Sequence, residues 1–317
     1  MNIALDAMGG DFAPRSILEG ALLAKKEILP EGAFITLIGQ ESVIKEELKA
    51  LGAPEDSFAI VNADEVIGMD EHPAKAITKK QNASIPVGYG MLKANKVDVF
   101  CSAGNTGAML VGAMFSIKAI EGVIRPGIAG FFPKLHGRYG IILDVGANAD
   151  CKADVLNQFA DMGSMYYKHF FGVENPKIGL LNMGEEEGKG TLLTKEVYQL
   201  MKMNDNINFV GNVEGNHVFD DTADVVICDG FTGNALLKMG ESFYGILKEK
   251  GFMDHFINMF NYEGEGGSPI LGVNGSVIIG HGASSPMAIR NMMNLAVRTV
   301  ESNVNGKIKD FYNKSND

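Results

Sequence analysis

Tryptophan is missing altogether from the 317 residues, and cysteine nearly so. The three cysteines, Cys101, Cys151 and Cys228, form no CxxC pair, which argues against a disulfide framework and against a zinc ribbon. Cys101 and Cys228 sit in strand-like runs, where a small thiol packs as a hydrophobe. Positive charge is also scarce: 28 Lys and Arg against 39 Asp and Glu leave a formal net charge of −11. A general nucleic-acid binder needs a basic stripe; none is visible, so nucleic acid is not expected as a partner. No run of about 18 apolar residues is present, so no membrane-spanning helix is expected. The chain opens on a strand-like run, Asn2–Asp6, without the charged and apolar regions of a signal peptide, and a cytoplasmic protein is expected. The six histidines show no HxxxH or HExxH spacing, so a metal site is not expected. Nor is a nucleotide cofactor: Gly104-Asn-Thr-Gly107 is no GxGxxG fingerprint, and Gly184–Thr191 is one residue short of a P-loop, with glycine between its Lys and Thr.

What the chain does have is core and punctuation. Apolar residues make up 46%, enough for a sizeable interior. Short β-branched runs (Asn2–Asp6, Phe34–Ile38, Phe58–Asn62, Val97–Cys101, Gly127–Pro133, Tyr139–Asp144, Lys177–Asn182, Asn208–Asn212, Val225–Ile227, Gly275–Ile279) alternate with helical periodicity. That predicts an α/β fold, helices sandwiching a mainly parallel sheet. No Pro/Ser linker or low-complexity tract divides the chain, so it is read as a single domain, 1–317. Residues 264–269 read as a flexible break.

The stretch Ala223–Leu237 organises the rest: a buried strand, a glycine turn, then a helix start, a place suited to an anion because the first helical amides lack internal partners. It recurs, since Asp98-Val99, Gly104, Thr106-Gly107 and Leu110 match Asp224-Val225, Gly230, Thr232-Gly233 and Leu236 at constant offset. Similar loops at the same edge of a sheet are expected, and ligands of such sheets bind beyond the carboxyl ends of strands. Lys189, between Gly188 and Gly190, is either a reach toward a small anion or a solvated lysine. Glu185, Glu186 and Glu187 read as a solvated helix start. His281, between two glycines after a strand, is either a proton donor or a packing residue, and His217 a weaker version of it. Asp6, Asp11 and Asp144 suit loop backbone better than a cation.

Together these loops resemble a known family. Asp6-Ala-Met-Gly-Gly-Asp11, Ser102-Ala-Gly-Asn-Thr-Gly-Ala108, Leu143-Asp-Val-Gly-Ala-Asn-Ala-Asp150, Gly184-Glu-Glu-Glu-Gly-Lys-Gly190, Gly211-Asn-Val-Glu-Gly215, Cys228-Asp-Gly-Phe-Thr-Gly-Asn234, Gly272-Val-Asn-Gly275 and Ile279-Gly-His-Gly282 look like the phosphate acyltransferases of bacterial phospholipid synthesis. The resemblance implies a fold like the isocitrate and isopropylmalate dehydrogenases and the phosphotransacetylases. It implies a homodimer without cofactor or metal that turns acyl-[acyl carrier protein] and inorganic phosphate into acyl phosphate for a glycerol-3-phosphate acyltransferase. Such a site must hold phosphate, orient it and stabilise an oxyanion. On that reading Lys189 is the countercharge, Asn234 an oxyanion donor and His281 the proton donor. Gly104, Asn105, Thr106, Gly107, Asp144, Asn148, Gly230, Thr232 and Gly233 are the substrate-binding candidates. A covalent route through Cys228 or Cys101 is not required.

Two alternatives are weighed: a coenzyme A-dependent phosphotransacetylase or decarboxylating dehydrogenase on the same fold, and a non-catalytic module that docks carrier protein or membrane. An acidic carrier needs a local basic patch, either Lys75, Lys79 and Lys80 or Arg290 and Arg298. Finally, apolar residues at helical spacing over Phe252–Phe260, set off by Gly251, predict a helical hairpin at about 236–262 projecting from the sheet. Its surface packs in a core or dimer, receives the acyl chain, or makes peripheral contact with the inner face of the membrane.

Overall fold

The computed structural model describes residues 1–54, 56–261 and 263–314. In chain order the elements are β1 (Asn2–Asp6), α1 (Arg15–Glu27), β2 (Phe34–Gly39), α2 (Glu41–Ala50), β3 (Ala59–Asn62), α3 (Pro73–Lys79), α4 (Ser84–Lys93), β4 (Val99–Ser102), α5 (Thr106–Ser116), β5 (Gly127–Pro133), β6 (Tyr139–Leu143), α6 (Ala153–Phe171), β7 (Lys177–Leu181), α7 (Leu192–Lys202), β8 (Asn208–Val213), β9 (Val225–Ile227), α8 (Gly230–Glu249), α9 (His255–Asn258), β10 (Ser268–Leu271), β11 (Ser276–Ile279), α10 (Pro286–Ser302) and α11 (Val304–Lys314). The α/β class with a mainly parallel sheet is as the sequence predicts. The chain divides into two compact units, Met1–Ala119 with Tyr262–Glu301 and Ile120–Asn261 with Ser302–Asp317.

In the first unit the strand order is β3-β2-β1-β4-β11-β10, parallel except for β10. Every residue of β4 is buried, as a strand covered on both faces requires. β10 falls where the sequence reads as a flexible break. Its Pro269 lies opposite Ile278 of the antiparallel neighbour β11. α3 forms in a polar stretch that shows no periodicity; Pro73 starts it.

In the second unit the order is β5-β6-β9-β7-β8, again parallel except for one strand, β5. Laid out as β8-β7-β9-β6-β5, it repeats the order and sense of β2-β1-β4-β11-β10. The recurring sequence stretch falls on the equivalent strands β4 and β9. Even the anchors agree: Asp98 Oδ2 accepts the Asn2 N–H, and Asp224 Oδ2 accepts the Lys177 N–H. The antiparallel hairpin closes the first unit and opens the second, so one is a permuted copy of the other in topology. α8 runs 20 residues and turns at Gly251, whose φ is +76°; α9 and Phe260 come back along it, Phe260 lying against Gly240. The stretch read as a hairpin at about 236–262 covers the later part of α8, Gly251 and α9; its last residue, Tyr262, lies outside the described residues.

Candidate functional site

The loops singled out in the sequence follow β1, β4 and β11 in the first unit, and β6, β7, β8 and β9 in the second. In the first unit a buried carboxylate organises them. Asp6 Oδ1 accepts the Met8 N–H, its Oδ2 accepts the Ser102 hydroxyl at 2.7 Å, and Ser102 Oγ in turn accepts the Gly104 N–H. Burial pushes the Asp6 carboxyl up, and hydrogen bonds from Ser84, Ser102, Met8 and Gly9 pull it back.

Asn105 caps α5: its Oδ1 accepts the Ala108 N–H at 3.0 Å. Its Nδ2 faces the carbonyls of Gly68, Met69 and Glu71 at 3.0–3.2 Å, so the amide that the sequence offers to substrate holds the 68–71 loop. Gly107 gives Pro73 its seat, since a Cβ there would come within 2.4 Å of the proline ring. Among the described hydrogen bonds, the N–H groups of Thr106 and Gly107 find no acceptor. The start of α5 is therefore an open pair of amides with a helix dipole behind them. His281 is half-buried; its Nδ1 accepts the Ala283 N–H at 3.2 Å, which places the proton of the neutral ring on Nε2.

The second unit treats its equivalent loop differently. Asp229 caps α8, accepting the Thr232 N–H at 2.7 Å, while the Gly233 N–H reaches the Asp229 carbonyl and the Gly230 N–H the Asn148 carbonyl. Three of the first amides of α8 are thus occupied. The glycines here serve packing: a Cβ on Gly233 would sit 2.0 Å from the Asp144 carbonyl, and one on Gly230 would sit 2.7 Å from its carboxylate. Asp144 is fully buried. Its oxygens accept N–H groups of Ile128, Ala147 and Asn148 and the Asn148 side chain. Burial raises its carboxyl and these donors oppose the rise. The Asn148 amide is engaged by Asp144 and by the Pro126 carbonyl at 2.8 Å. Asn234, one turn into α8, is exposed and makes no described hydrogen bond.

Lys189 is half exposed, its ammonium 3.9 Å from Glu186. The Glu185–Glu187 run is not a helix start: α7 begins at Leu192 behind Thr191, whose hydroxyl takes the cap, and its first turn holds no acid. These glutamates face cations instead, Glu187 binding Lys202 at 2.9 Å and Glu185 lying 3.5 Å from His217 Nε2. Glu185, Glu214 and His217 bring one potential ligand atom each within 4.8 Å of one another, though Asp220 holds the other ring nitrogen of His217 at 2.6 Å. That hydrogen bond, against some burial, raises the His217 pKa. Lys134, which the sequence does not single out, is fully buried. Its ammonium donates to the carbonyls of Val218, Asp220 and Ala223, and burial lowers it to about 8.

The cysteines are poor nucleophiles here. Burial pushes the Cys101 and Cys228 thiols well up, and Cys151 to about 11, away from the thiolate that would attack. Of the basic patches, Lys80 binds Glu71 at 2.5 Å and the Val66 carbonyl, Arg290 binds Glu27 and Asn291, and Arg298 binds Glu265. Lys75 and Lys79 on α3 are exposed, and among the described residues no such partner is seen for them. Among the described residues no helix is long and apolar enough to cross a membrane.

A family model described as fatty acid synthesis protein matches residues 1–251. The phosphate acyltransferase of Dictyoglomus turgidum is 44% identical over 336 residues, spanning 100% of this chain and 99% of that protein. That of Syntrophomonas wolfei is 44% identical over 309 residues, 96% of each. Among solved structures, a phosphotransacetylase from Streptococcus pyogenes has a TM-score of 0.68 at 19% identity, covering 96% of this chain and 94% of that one. A 4-hydroxythreonine-4-phosphate dehydrogenase from Klebsiella pneumoniae gives 0.58 at 13%, covering 94% and 99%. At such identities the structures share the fold alone.

Proposed function

This chain belongs to the phosphate acyltransferase family, and on that premise we propose that it transfers a fatty acyl group from acyl-[acyl carrier protein] to inorganic phosphate. The acyl phosphate then serves a glycerol-3-phosphate acyltransferase in phosphatidic acid synthesis. The observation that carries the reading is the open start of α5, where the Thr106 and Gly107 amides find no acceptor among the described hydrogen bonds. A phosphate oxygen accepts from such amides without a dedicated cation. Hydrogen phosphate attacks the thioester carbonyl; the carbon–oxygen bond forms, the carbon–sulfur bond breaks, and the proton the phosphate carried ends on the departing thiol. Raised cysteine pKa values favour direct attack by phosphate over an acyl-enzyme on sulfur.

In this reading Lys189 lends the countercharge, the amide of Asn234 donates to the oxyanion, and His281 stabilises the leaving thiolate by a hydrogen bond from Nε2–H until the thiolate takes up the phosphate's proton. Asn105, Asn148 and Asp144 act one step back, holding loops. The assay is thiol release from acyl-carrier protein with and without phosphate. Phosphate-dependent release is expected, and Lys189→Ala is expected to slow it most at sub-saturating phosphate. Wild-type turnover there would remove Lys189 from the site; turnover with acyl-coenzyme A but not with carrier would remove the donor assignment.

The carrier docks, in this proposal, on α3. An acidic partner approaching a chain of net charge −11 needs local positive charge, and Lys75 and Lys79 are exposed there without the partners that engage Lys80, Arg290 and Arg298. Lys75→Glu with Lys79→Glu should raise the KM for carrier substrate by about tenfold, the scale of a lost close charge pair. The KM for phosphate should stay put; an equal rise in both would refute docking on α3. The chain is further proposed to act as a homodimer in peripheral contact with the membrane.

A further inference from the structure

β7 and β8 run side by side, Leu180 opposite Asn212. Asn212 is 6% exposed, and its carboxamide faces two ways. Its Oδ1 accepts from Asn182 Nδ2 at 3.0 Å, and its Nδ2 donates to the Glu186 carbonyl at 3.0 Å and meets the Glu185 carbonyl at 3.5 Å. Asn182 Nδ2 also reaches the Lys189 carbonyl at 3.3 Å, and the Lys189 N–H donates to the same Glu186 carbonyl at 3.0 Å. Both backbone groups of Lys189 are therefore tied, through two asparagines, to the ends of two strands. The side chain is seated as well. A Cβ on Gly184 would come within 2.9 Å of Lys189 Cγ and 3.3 Å of Cδ, so the alkyl stem lies across that glycine.

An exposed lysine on a glycine loop has much rotamer freedom to lose when it meets an anion. A fixed backbone and a seated stem remove part of that loss before the ligand arrives. We propose that Asn212, with Asn182 as its relay and Gly184 as the seat of the stem, is a positioning residue that aims the Lys189 ammonium at phosphate. It does not touch substrate; it acts through Lys189, and the inference rests on the reading of Lys189 as the countercharge.

The test is a pair of double-mutant cycles in the thiol-release assay with the full chain, inorganic phosphate being the varied ligand. Asn212→Ala and Gly184→Ala are each made in the wild type and in Lys189→Ala, with thermal unfolding recorded for all. In the wild-type background each should raise the KM for phosphate by about tenfold, the scale of coupling within one hydrogen-bonded network, and leave the KM for the acyl donor alone. In the Lys189→Ala background each should change it less than about twofold, because the group they aim is gone. A full effect in that background, or an equal rise in both KM values, overturns the proposal, since a purely structural role would behave so. Failure of the underlying reading looks different: Lys189→Ala would then itself leave the phosphate KM unchanged. Should Asn212→Ala not fold, Gly184→Ala decides, because it leaves every hydrogen bond of the relay in place.

Discussion

Asn148 and Asn234 carry the same carboxamide in one unit, and their surroundings give them different work. The Asn148 amide donates to the Pro126 carbonyl and to the Asp144 carboxylate, both at least half-buried. Removing it leaves two acceptors unmatched, a loss of about 1–3 kcal/mol in stability. Asn234 has no such obligation. If it is an oxyanion donor, Asn234→Ala should cost about 2.7–4 kcal/mol of barrier, a hundred- to thousandfold in kcat, while Tm stays within a degree or so of wild type. Unchanged kcat with Asn234→Ala would exclude the role. The difference between the two residues is not readable from their neighbours in sequence. Asn148 meets a carbonyl 22 positions away, and Asn105 meets three that lie 34 to 37 positions away. The residue types of the loops were legible because strand, glycine and cap each leave a local signature. Which amide remains open depends on contacts that only the fold creates, and Asn212, inside a quoted motif, gave no local sign of its relay.

At the scale of elements, the helical hairpin sorts its own apolar residues. Phe256 meets Phe219 and Phe260 edge to face, with ring centroids 6.4 and 5.2 Å apart, and Met259 is buried, so the returning arm packs on its own unit. The residues left over fall in two places. Met239, Phe243 and Ile246 make an exposed stripe at helical spacing along α8, and Phe252 (63% exposed) and Met253 (38%) sit just past the turn. A stripe along a 20-residue helix of about 30 Å suits a second copy of the chain, whereas two apolar side chains at a tip suit shallow, reversible insertion among lipids. Phe252→Glu with Met253→Glu should abolish flotation with liposomes and leave dimer and turnover intact; flotation equal to wild type would exclude the tip as an anchor. Phe243→Glu should instead lower the dimer mass in sedimentation. The break at Gly251 and the apolar spacing on either side of it were legible in the sequence. The division of labour was not, because periodicity marks a face as apolar without saying what covers it.

For the whole molecule, the buried carboxyls and His217 lend stability that falls as pH rises, against a contribution of opposite sign from the exposed acids at low pH. Burial raises the carboxyls of Asp6, Asp144, Glu265 and Asp161, the last to about 6. A carboxyl raised in the folded state binds more protons there than in the unfolded chain. Its contribution is therefore complete below the ordinary value of 3.8 and declines until pH passes the folded value, about 6 for Asp161. His217 works in the same direction higher up: raised by Asp220, it stabilises below about 6.5 and loses that contribution as pH climbs through its folded value. The exposed acids lowered by partners, such as Asp221 beside Arg138 and Glu187 beside Lys202, work the other way: their contribution is complete above the ordinary values of 3.8 and 4.5 and is lost as pH falls below them. Net charge of −11 adds self-repulsion on the alkaline side. Asp161 isolates the effect. It is 8% exposed on α6, its carboxylate accepting from Asn204 Nδ2 at 2.9 Å, a hydrogen bond that opposes the burial without cancelling it. Asparagine keeps the shape and an acceptor for Asn204 but cannot ionise. Asp161→Asn should match wild type near pH 4 and exceed it above pH 6 by on the order of 1–3 kcal/mol, about 2–4 °C in Tm per kcal/mol. Thermal unfolding of both proteins from pH 4 to 8 checks this. A gap that is the same at both ends would show that the buried carboxyl does not titrate across the window.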